Sequence, residues 1–471
     1  MKNHYSTELN MLGKIIILLI IIIYVLHPEK LRSQEIVLLQ KPITEKFVQT
    51  ALRDQKGFYW LKELCTIGPR LSGSKNSLQA ITWAEKTMHH SGWDRVWLQQ
   101  VMVPNWKRGI REQAIISRSS LFLKKQLAVA ALGGSVGTGA AGISAPVLEV
   151  KSLIEIDSLK EQAKGKIIFL NRPFDRSKFN PNEAYGGAVD QRTRGAARAG
   201  KVGAAAVLVR SVTSKYDNAP HTGVMYYEEN GNKIPAAAMG QIDADFLSSA
   251  LRQDPNLELT LRLSCKINPD TISYNVIGEI EGTEYPEEII VVGGHFDSWD
   301  LGYGAHDDGG GCIQAMEVLD LFRRMEIKPK RTIRCVLFMD EEQHQAGAER
   351  YAAWSDSSGQ KHLAAIEADR GVLTPRGFYV DADSLILAKI QSWQNILELT
   401  GIDWIRKGGS GADVGKIKQA KALLGYVPDS QRYYDFHHSA NDVFETVHPR
   451  ELELGAAAMA TLVYLLSEEG L

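Results

Sequence analysis

The 471-residue sequence has few cysteines, no excess of charge of either sign and no long apolar run outside its N-terminus. Four cysteines are too few for a disulfide-dense scaffold and lack the close spacing of a structural zinc site, so most are expected to be buried thiols. If the chain is exported, one disulfide bond between two of these cysteines is the alternative. The 54 basic and 56 acidic residues give a net charge of −2, which excludes a general affinity for nucleic acid. With 44% hydrophobic residues, the chain is neither disordered nor a multi-span membrane protein.

The N-terminus carries the one long apolar run, at residues 15–26, with basic residues before it and Pro28 after it. The run is shorter than the roughly 20 residues that a membrane-spanning helix needs. A basic start followed by such a run is typical of a signal peptide. We predict that residues 1–34 are a signal peptide or, alternatively, an uncleaved N-terminal anchor. The protein is then exported, secreted or periplasmic, and meets a membrane only if this segment is retained.

Changes in composition divide the rest of the chain at about residues 144 and 262. The glycine-rich stretch 132–142 is typical of a connection or of a close backbone approach. Residues 145–262 are predicted to form a separate module, in which Pro235 predicts an edge strand over 234–239. His221 of this module has no carboxylate cluster around it, so we interpret it as a hydrogen-bonded or exposed histidine outside the active site.

After residue 263 the pattern becomes a regular alternation of strands and helices. The predicted strands are 289–292, 332–339 and 363–368, and the predicted helices are 309–325, 346–354, 384–400 and 451–466. Short, continuously apolar strands between amphipathic helices indicate an α/β fold whose mixed, largely parallel sheet is covered on both faces.

Histidines and carboxylates follow the predicted strands of this region. His295 and Asp297 come after the first strand, Glu341 and Glu342 after the second, and Asp369 after the third. In open α/β sheets ligands bind beyond the carboxyl ends of the strands, so three strands deliver these side chains to one edge.

Two further segments can reach the same edge, one with Asp307 and one with His438 and Asp442. Imidazole and carboxylate ligands without thiolate suit zinc, with manganese or cobalt as substitutes. Five ligands are too many for one catalytic zinc that keeps an open position, and they suit two ions. Asp307 is the expected bridge, because the glycines that follow it let the backbone approach closely.

A balanced division gives one ion His295 and Asp369, and the other Glu342 and His438. Asp297 and Asp442 are expected to orient their neighbouring histidines. Adjacent glutamates leaving a strand point in different directions, so one binds metal while the other is free to take a proton from bound water. The chemistry this predicts is hydrolysis of an amide or a related bond.

The order of these motifs resembles peptidase family M28, which consists of two-zinc exopeptidases. The matching motifs are His295-Phe-Asp297, Asp307-Asp-Gly309, Glu341-Glu342, Glu367-Ala-Asp369 and His438-Ser-Ala-Asn-Asp442. The resemblance implies that His295, Asp307, Glu342, Asp369 and His438 bind two zinc ions. It also implies that Glu341 is the general base and that the peptide between Asp307 and Asp308 is strained or cis.

By the same resemblance, residues 35–144 and 263–471 form the peptidase domain, and residues 145–262 an inserted, β-rich protease-associated domain. His437, Ser410 and Asp413 are expected beside a dipeptide or short-peptide substrate, and a homodimer is plausible from the family. The function implied is that of an exopeptidase of the carboxypeptidase or dipeptidase type. The alternatives are an aminopeptidase, a transferase similar to glutaminyl cyclase with one zinc, and a surface protein that binds without catalysis.

Overall fold

The computed structural model describes the backbone of residues 28–471 and the side chains from residue 40 onward. The apolar run at residues 15–26, and with it most of the predicted signal peptide, lies outside the described residues. Among the helices of residues 28–471, none is both long enough and apolar enough to cross a membrane.

Strands form two eight-stranded sheets. Their bounds are β1 (Arg95–Lys107), β2 (Glu112–Arg118), β3 (Lys125–Leu127), β4 (Val129–Ala131), β5 (Ile143–Val150), β6 (Ile167–Leu170), β7 (Ala206–Arg210), β8 (Ala236–Met239), β9 (Glu258–Leu263), β10 (Lys266–Ile280), β11 (Tyr285–His295), β12 (Arg331–Phe338), β13 (Lys361–Glu367), β14 (Pro375–Asp381), β15 (Trp404–Lys407) and β16 (Ala422–Pro428).

Helices cover the faces of these sheets. Their bounds are α1 (Pro28–Asp54), α2 (Lys56–Ile67), α3 (Lys75–His90), α4 (Leu153–Leu159), α5 (Pro181–Gly186), α6 (Asp190–Lys201), α7 (Gln241–Gln253), α8 (Gly310–Arg324), α9 (Ala346–Ser357), α10 (Ser384–Gln391), α11 (Gln394–Leu397), α12 (Tyr433–Phe436) and α13 (Pro449–Glu469).

The first sheet has the strand order β1-β10-β12-β11-β13-β16-β14-β15. Its centre is parallel, from β12 through β11 and β13 to β16. Three pairs outside the centre are antiparallel: β1 with β10, β10 with β12, and β14 with β16. The central strands are buried on both faces, which explains their continuous apolar sequence. The predicted mixed, largely parallel sheet between helices is confirmed.

The second sheet has the order β3-β2-β9-β5-β6-β7-β8-β4. Strands β5 to β8 are parallel, and the remaining pairs are antiparallel. Strand β8 pairs with both β7 and β4, so the predicted edge position is wrong. Pro235 lies one residue before β8 and therefore removes no hydrogen bond from the ladder.

Three strands of the second sheet precede residue 145, where the inserted module was predicted to begin. The predicted domain boundaries and the protease-associated character of the module stay predictions. The second sheet, helices α4 to α7 and the loops that connect them are called the second-sheet layer below. All four cysteines are buried and free, as expected for small apolar side chains.

The largest apolar core lies between the first sheet and helices α8 and α13, around residues such as Phe322 and Leu462. Helices α8 and α13 pack against each other and against β11 and β12, so both cover the same face of the sheet. The predicted helix 384–400 is interrupted after Gln391, where the Ser392 hydroxyl donates to the Lys389 carbonyl and competes with the helical pattern. This packing leaves the carboxyl edge of the parallel strands free for polar groups.

Candidate metal centre and active site

The parallel strands β11, β12 and β13 end at one edge of the first sheet. His295 is the last residue of β11, Glu341 and Glu342 follow β12, and Asp369 follows β13. The loops at this edge are short and buried, so the side chains converge instead of spreading into solvent.

Asp307 lies in the turn before α8, and its two carboxylate oxygens face different partners. Oδ1 is 3.2 Å from His295 Nε2, which is itself 3.5 Å from Asp369 Oδ1. Oδ2 is 3.3 Å from His438 Nε2, which is 2.9 Å from Glu342 Oε2. The structure therefore brings together all five residues that the sequence analysis expected to bind metal, in the two pairs expected.

Three overlapping groups have ligand atoms within 4.8 Å of one another. They are His295–Asp308–Asp369, His295–Asp307–Glu342 and Asp307–His437–His438. Beside them, Asp307, Glu342 and His438 line a cavity of about 10 Å³, which has room for about one ion or water molecule.

Asp297 supports the loop after β12. Its carboxylate accepts the backbone N–H groups of Asp340 at 2.8 Å, Glu341 at 3.1 Å and Glu342 at 3.4 Å. His295 Nδ1 lies 3.1 Å from the Asp297 backbone oxygen and 3.8 Å from its carboxylate. Asp297 thus reaches His295 chiefly through its backbone, while its carboxylate fixes the two glutamates.

Asp442 takes a different place from the one expected beside His438. Its carboxylate accepts the backbone N–H groups of His306 at 2.7 Å and Asp307 at 3.1 Å. The residue therefore holds the segment of the candidate bridging aspartate, because a buried carboxylate takes the nearest free N–H donors.

Asp308 ties the start of α8 to β11. Its carboxylate accepts the N–H groups of His295 at 3.1 Å and Gly311 at 3.2 Å. A Cβ on Gly311 would lie 1.9 Å from the Ala368 backbone oxygen, so the close approach predicted for residues 309–311 requires glycine there. The peptide bond between Asp307 and Asp308 is cis.

Burial raises the pKa of both glutamates at this edge. Burial, together with the Asp307 carboxylate, raises the pKa of Glu342 well above its usual value, and burial raises the pKa of Glu341 to about 8. Burial also opposes ionisation of Asp307, but the hydrogen bond from His295 and the nearby histidines hold its pKa below the usual value.

Some acceptor atoms at the centre are without a donor. Asp307 Oδ2 and Glu342 Oε1 are buried and lack a hydrogen bond of suitable geometry. Unpaired buried carboxylates are costly, and a divalent cation removes this cost by supplying the missing charge. Carboxylate and imidazole donors fit zinc, so the residues present are suited to such an ion.

The expected substrate-side residue His437 stacks on His438, with ring centroids 3.5 Å apart. Tyr185, Tyr433 and Tyr434 pack around His437. This aromatic group borders the centre on the side of the second-sheet layer.

Ser410 and Asp413 lie in one loop held by Glu367, whose carboxylate accepts the N–H groups of Ala412, Asp413 and Val414. The Ser410 carbonyl packs close to Gly425 of β16. Asp413 is fully buried, and both of its carboxylate oxygens lack a hydrogen-bond donor. Contact of these residues and of His437 with substrate stays a prediction.

Sequence reasoning missed the supporting role of Arg70. Its buried guanidinium donates to the backbone oxygens of Phe296, Tyr303 and Gly304, and so fixes the loop between β11 and α8. Arg70 stands in a turn-rich segment, and its partners are backbone groups more than 200 positions away, so no local pattern indicates them.

The comparisons with known proteins agree with this geometry. Residues 275–463 match the model of peptidase family M28. The chain is similar to carboxypeptidase Q of Homo sapiens, with 35% identity over 86% of this chain and 83% of the relative. Carboxypeptidase Q of Xenopus laevis is 36% identical over 86% of this chain and 84% of the relative.

Solved structures extend the likeness to the whole fold. A peptidase M28 precursor from Shewanella amazonensis has 31% identity and a TM-score of 0.86, covering 91% of this chain and 97% of that one. A zinc aminopeptidase from Bacillus subtilis shares the fold at 20% identity and a TM-score of 0.64, covering 88% and 95%. The chain belongs to peptidase family M28, and the enzyme is a metallo-exopeptidase.

Proposed function

We propose that this protein is an exported exopeptidase that hydrolyses dipeptides or short peptides with two zinc ions. The observation that carries the proposal is the position of Asp307, with one oxygen beside His295 and Asp369 and the other beside His438 and Glu342. A single carboxylate between two imidazole–carboxylate pairs is the arrangement that two ions sharing a bridge require.

His295, Asp369 and one oxygen of Asp307 would hold the first ion, and His438, Glu342 and the other oxygen the second. Asp308 is less suited to be a ligand, because both of its oxygens already accept backbone N–H groups. The donor set of two imidazoles and three carboxylates favours zinc over calcium or magnesium, which prefer oxygen ligands.

Zinc in such a centre would supply a Lewis acid for the scissile carbonyl and would lower the pKa of bound water to near neutral. Glu341 is assigned as the general base that takes the proton from the attacking water and delivers it to the leaving amine. Its backbone is fixed by Asp297, and its carboxylate lies 3.4 Å from Gln345 Nε2. Cations beside Glu341 would counter the effect of burial on its pKa and favour the ionised form that a base needs.

The similarity to carboxypeptidase Q supports a requirement for the carboxyl terminus of the substrate, and an aminopeptidase is the second candidate within the same class. The test is hydrolysis of free dipeptides, N-blocked dipeptides and aminoacyl amides by the zinc-loaded enzyme, with chelated enzyme as the control. We expect cleavage of free dipeptides that chelation abolishes. Cleavage of aminoacyl amides in preference to dipeptides would assign the aminopeptidase activity instead.

Export rests on the N-terminal pattern alone. N-terminal sequencing of protein recovered outside the cytoplasm of the source cell tests it. A mature chain that begins near residue 34 is the expected result, and a chain retained inside the cell with residues 1–34 intact would contradict export.

A further inference from the structure

The dipeptide His221–Thr222 of the second-sheet layer contacts the dipeptide His437–His438 of the candidate metal centre at three points. His221 Nδ1 is 2.6 Å from the His437 backbone oxygen. The Thr222 N–H donates to the His438 backbone oxygen at 2.9 Å. His438 Nδ1 lies 3.3 Å from the Thr222 backbone oxygen.

These contacts bear on which ring nitrogen of His438 carries the proton. Because a backbone oxygen only accepts, the contact with Thr222 is a hydrogen bond in the tautomer that carries the proton on His438 Nδ1 and keeps the lone pair of Nε2, and this is the tautomer that a metal ion on Nε2 requires. Nε2 is the atom that faces Asp307 and Glu342. The Thr222 carbonyl therefore prepares His438 to bind a metal ion through Nε2.

The backbone of His438 needs external support. Its φ is +61°, in the left-handed region that residues with a side chain rarely adopt. The hydrogen bonds from His221 and Thr222 hold the carbonyl groups of residues 437 and 438, on either side of this strained position.

Arg192 of α6 also contacts the Thr222 carbonyl. Its guanidinium is buried, and Nη1 lies 3.3 Å from the Thr222 backbone oxygen. The same Nη1 is 3.3 Å from His438 Nδ1, and in the tautomer that binds metal through Nε2 both nitrogens are donors that share the Thr222 oxygen as their acceptor.

The other histidine of the centre has a different kind of support. His295 Nδ1 faces the backbone oxygen of Asp297, two residues along its own chain segment. The second-sheet layer contributes the Nδ1 partner of His438 but not that of His295. The two halves of the centre therefore differ in their dependence on this layer.

We propose that His221 and Arg192 are positioning residues for the metal ion held by His438 and Glu342, acting through the backbone of residues 222 and 437. The assignment rests on the two-metal function proposed above. Weakening this support should release one ion selectively, since the His295–Asp369 half keeps its own partners. Loss of such outer hydrogen bonds to a ligand typically lowers metal affinity about 10–100-fold.

The test measures zinc binding by equilibrium dialysis with metal analysis, on full-length enzyme first stripped by chelation. We expect two tight equivalents in the wild type. In His221→Leu and Arg192→Met one equivalent should stay tight, while the dissociation constant of the other rises about 10–100-fold. His221→Asn, whose amide can donate from the position of Nδ1, should restore the second equivalent, and His221→Gln, whose amide reaches the position of Nε2, should not.

His362→Leu is the matched control, because His362 is an equally buried histidine of the first sheet that bonds to Tyr351 and Ser355 away from the centre. It should keep both equivalents even where its melting temperature falls. The double variant His221→Leu with His438→Ala should still bind one zinc equivalent tightly, because both changes affect the same ion. The double variant His221→Leu with His295→Ala should bind none tightly, because each change affects a different ion.

Two tight equivalents in His221→Leu, or equal binding by the Asn and Gln variants, would overturn the assignment and leave the two-metal centre intact. A wild type that binds fewer than two equivalents would contradict the two-metal function itself. The wild-type measurement therefore separates failure of the assignment from failure of the proposed function.

Discussion

The two sheets of this protein present parallel strand ends in the same topological position, but they treat buried polar groups in opposite ways. At the end of β7 in the second sheet, buried Arg210 donates to Asn171 and Gln241 and pairs with Asp245. Glu149, at the end of β5, accepts hydrogen bonds from Asn171 and Ser248. These polar groups supply donors and acceptors to one another.

The first sheet instead collects acceptors. Asp307, Glu342 and Asp413 are buried there with carboxylate oxygens that lack donors. Unpaired buried acceptors are costly, and they are retained where an ion or a substrate supplies the missing partner. Position at a strand end thus makes both edges candidates for a site, and the balance of donors and acceptors separates a metal centre from a structural network.

Neutralising one acid at each edge should give the largest difference in activity between the two edges. Glu341→Gln should lower kcat about 10²–10⁴-fold, the usual contribution of a general base, while zinc content and melting temperature stay near those of the wild type. Glu149→Gln on the second edge is the control and should leave kcat unchanged. The measurement is steady-state dipeptide hydrolysis with metal analysis of the same samples. An active Glu341→Gln enzyme would remove Glu341 from the mechanism.

Metal removal should destabilise the protein through the first edge alone. Zinc that binds only the folded state stabilises it by about 4 kcal/mol per site at a free concentration of about 1,000 times the dissociation constant. Chelation should therefore lower the melting temperature of the wild type, measured by calorimetry. Asp307→Asn removes a charge from both halves of the centre and should abolish most of this difference. A variant that keeps the full zinc-dependent shift would show that Asp307 is not the shared ligand.

The second edge should respond to mutation in the same way with and without zinc. Arg210→Met leaves Asn171 and Gln241 without their donor, and we expect a loss of about 1–3 kcal/mol in the free energy of unfolding. Asp245 also loses its ion pair with Arg210, but the Asp245 side chain is half exposed, so solvent limits the cost of that loss. Urea unfolding of the wild type and of Arg210→Met, each with zinc and after chelation, measures this loss in the free energy of unfolding under both conditions. A loss of stability that depends on zinc would mean that the two edges are coupled.

Much of the first edge was accessible from the sequence, because its signal is local. Three ligand candidates, His295, Glu342 and Asp369, end or follow short apolar strands, so they could be placed at one edge from chain order alone. Asp307 could be proposed as a bridge because residues 309–311 are glycines. Carboxyl ends of parallel strands meet, and this rule does not depend on the details of packing.

The missing parts depend on contacts that are distant in sequence. Asp442 was expected beside His438, yet it accepts the N–H of Asp307, since backbone donors exposed by a turn are visible only in three dimensions. Thr222 contacts His438 through its backbone, which any residue type supplies, so no pattern of residues marks it. Pro235 predicted an edge strand, but a shift of one residue places it outside the β8 ladder. The sequence therefore predicts which polar side chains lie at one edge of the sheet, but it does not predict which of them are hydrogen-bonded to each other.

Glu317 of α8 and Glu453 of α13 form a third group of buried acids. These two carboxyl groups lie next to each other and have hydrogen-bond donors nearby. Arg324 donates to Glu317, and the Phe58 N–H donates to Glu453. Burial and the neighbouring Glu453 carboxyl raise the pKa of Glu317 well above its usual value, and burial raises that of Glu453. The folded state therefore holds a proton that the unfolded chain releases above about pH 4.5.

The sign of the pH effect follows from that proton. Because the folded-state pKa is raised, this pair stabilises the fold below the unfolded pKa and loses that contribution as pH rises toward the folded pKa. Glu317→Gln carries its hydrogens at every pH, so its stability relative to the wild type should increase from pH 5 to pH 8. Urea unfolding across this range measures the difference, with Glu349→Gln, an exposed acid that pairs with Lys416, as the control. A relative stability of Glu317→Gln that falls with pH would mean that the pair is ionised in the folded protein, and that buried acids here need no proton or metal ion to be tolerated.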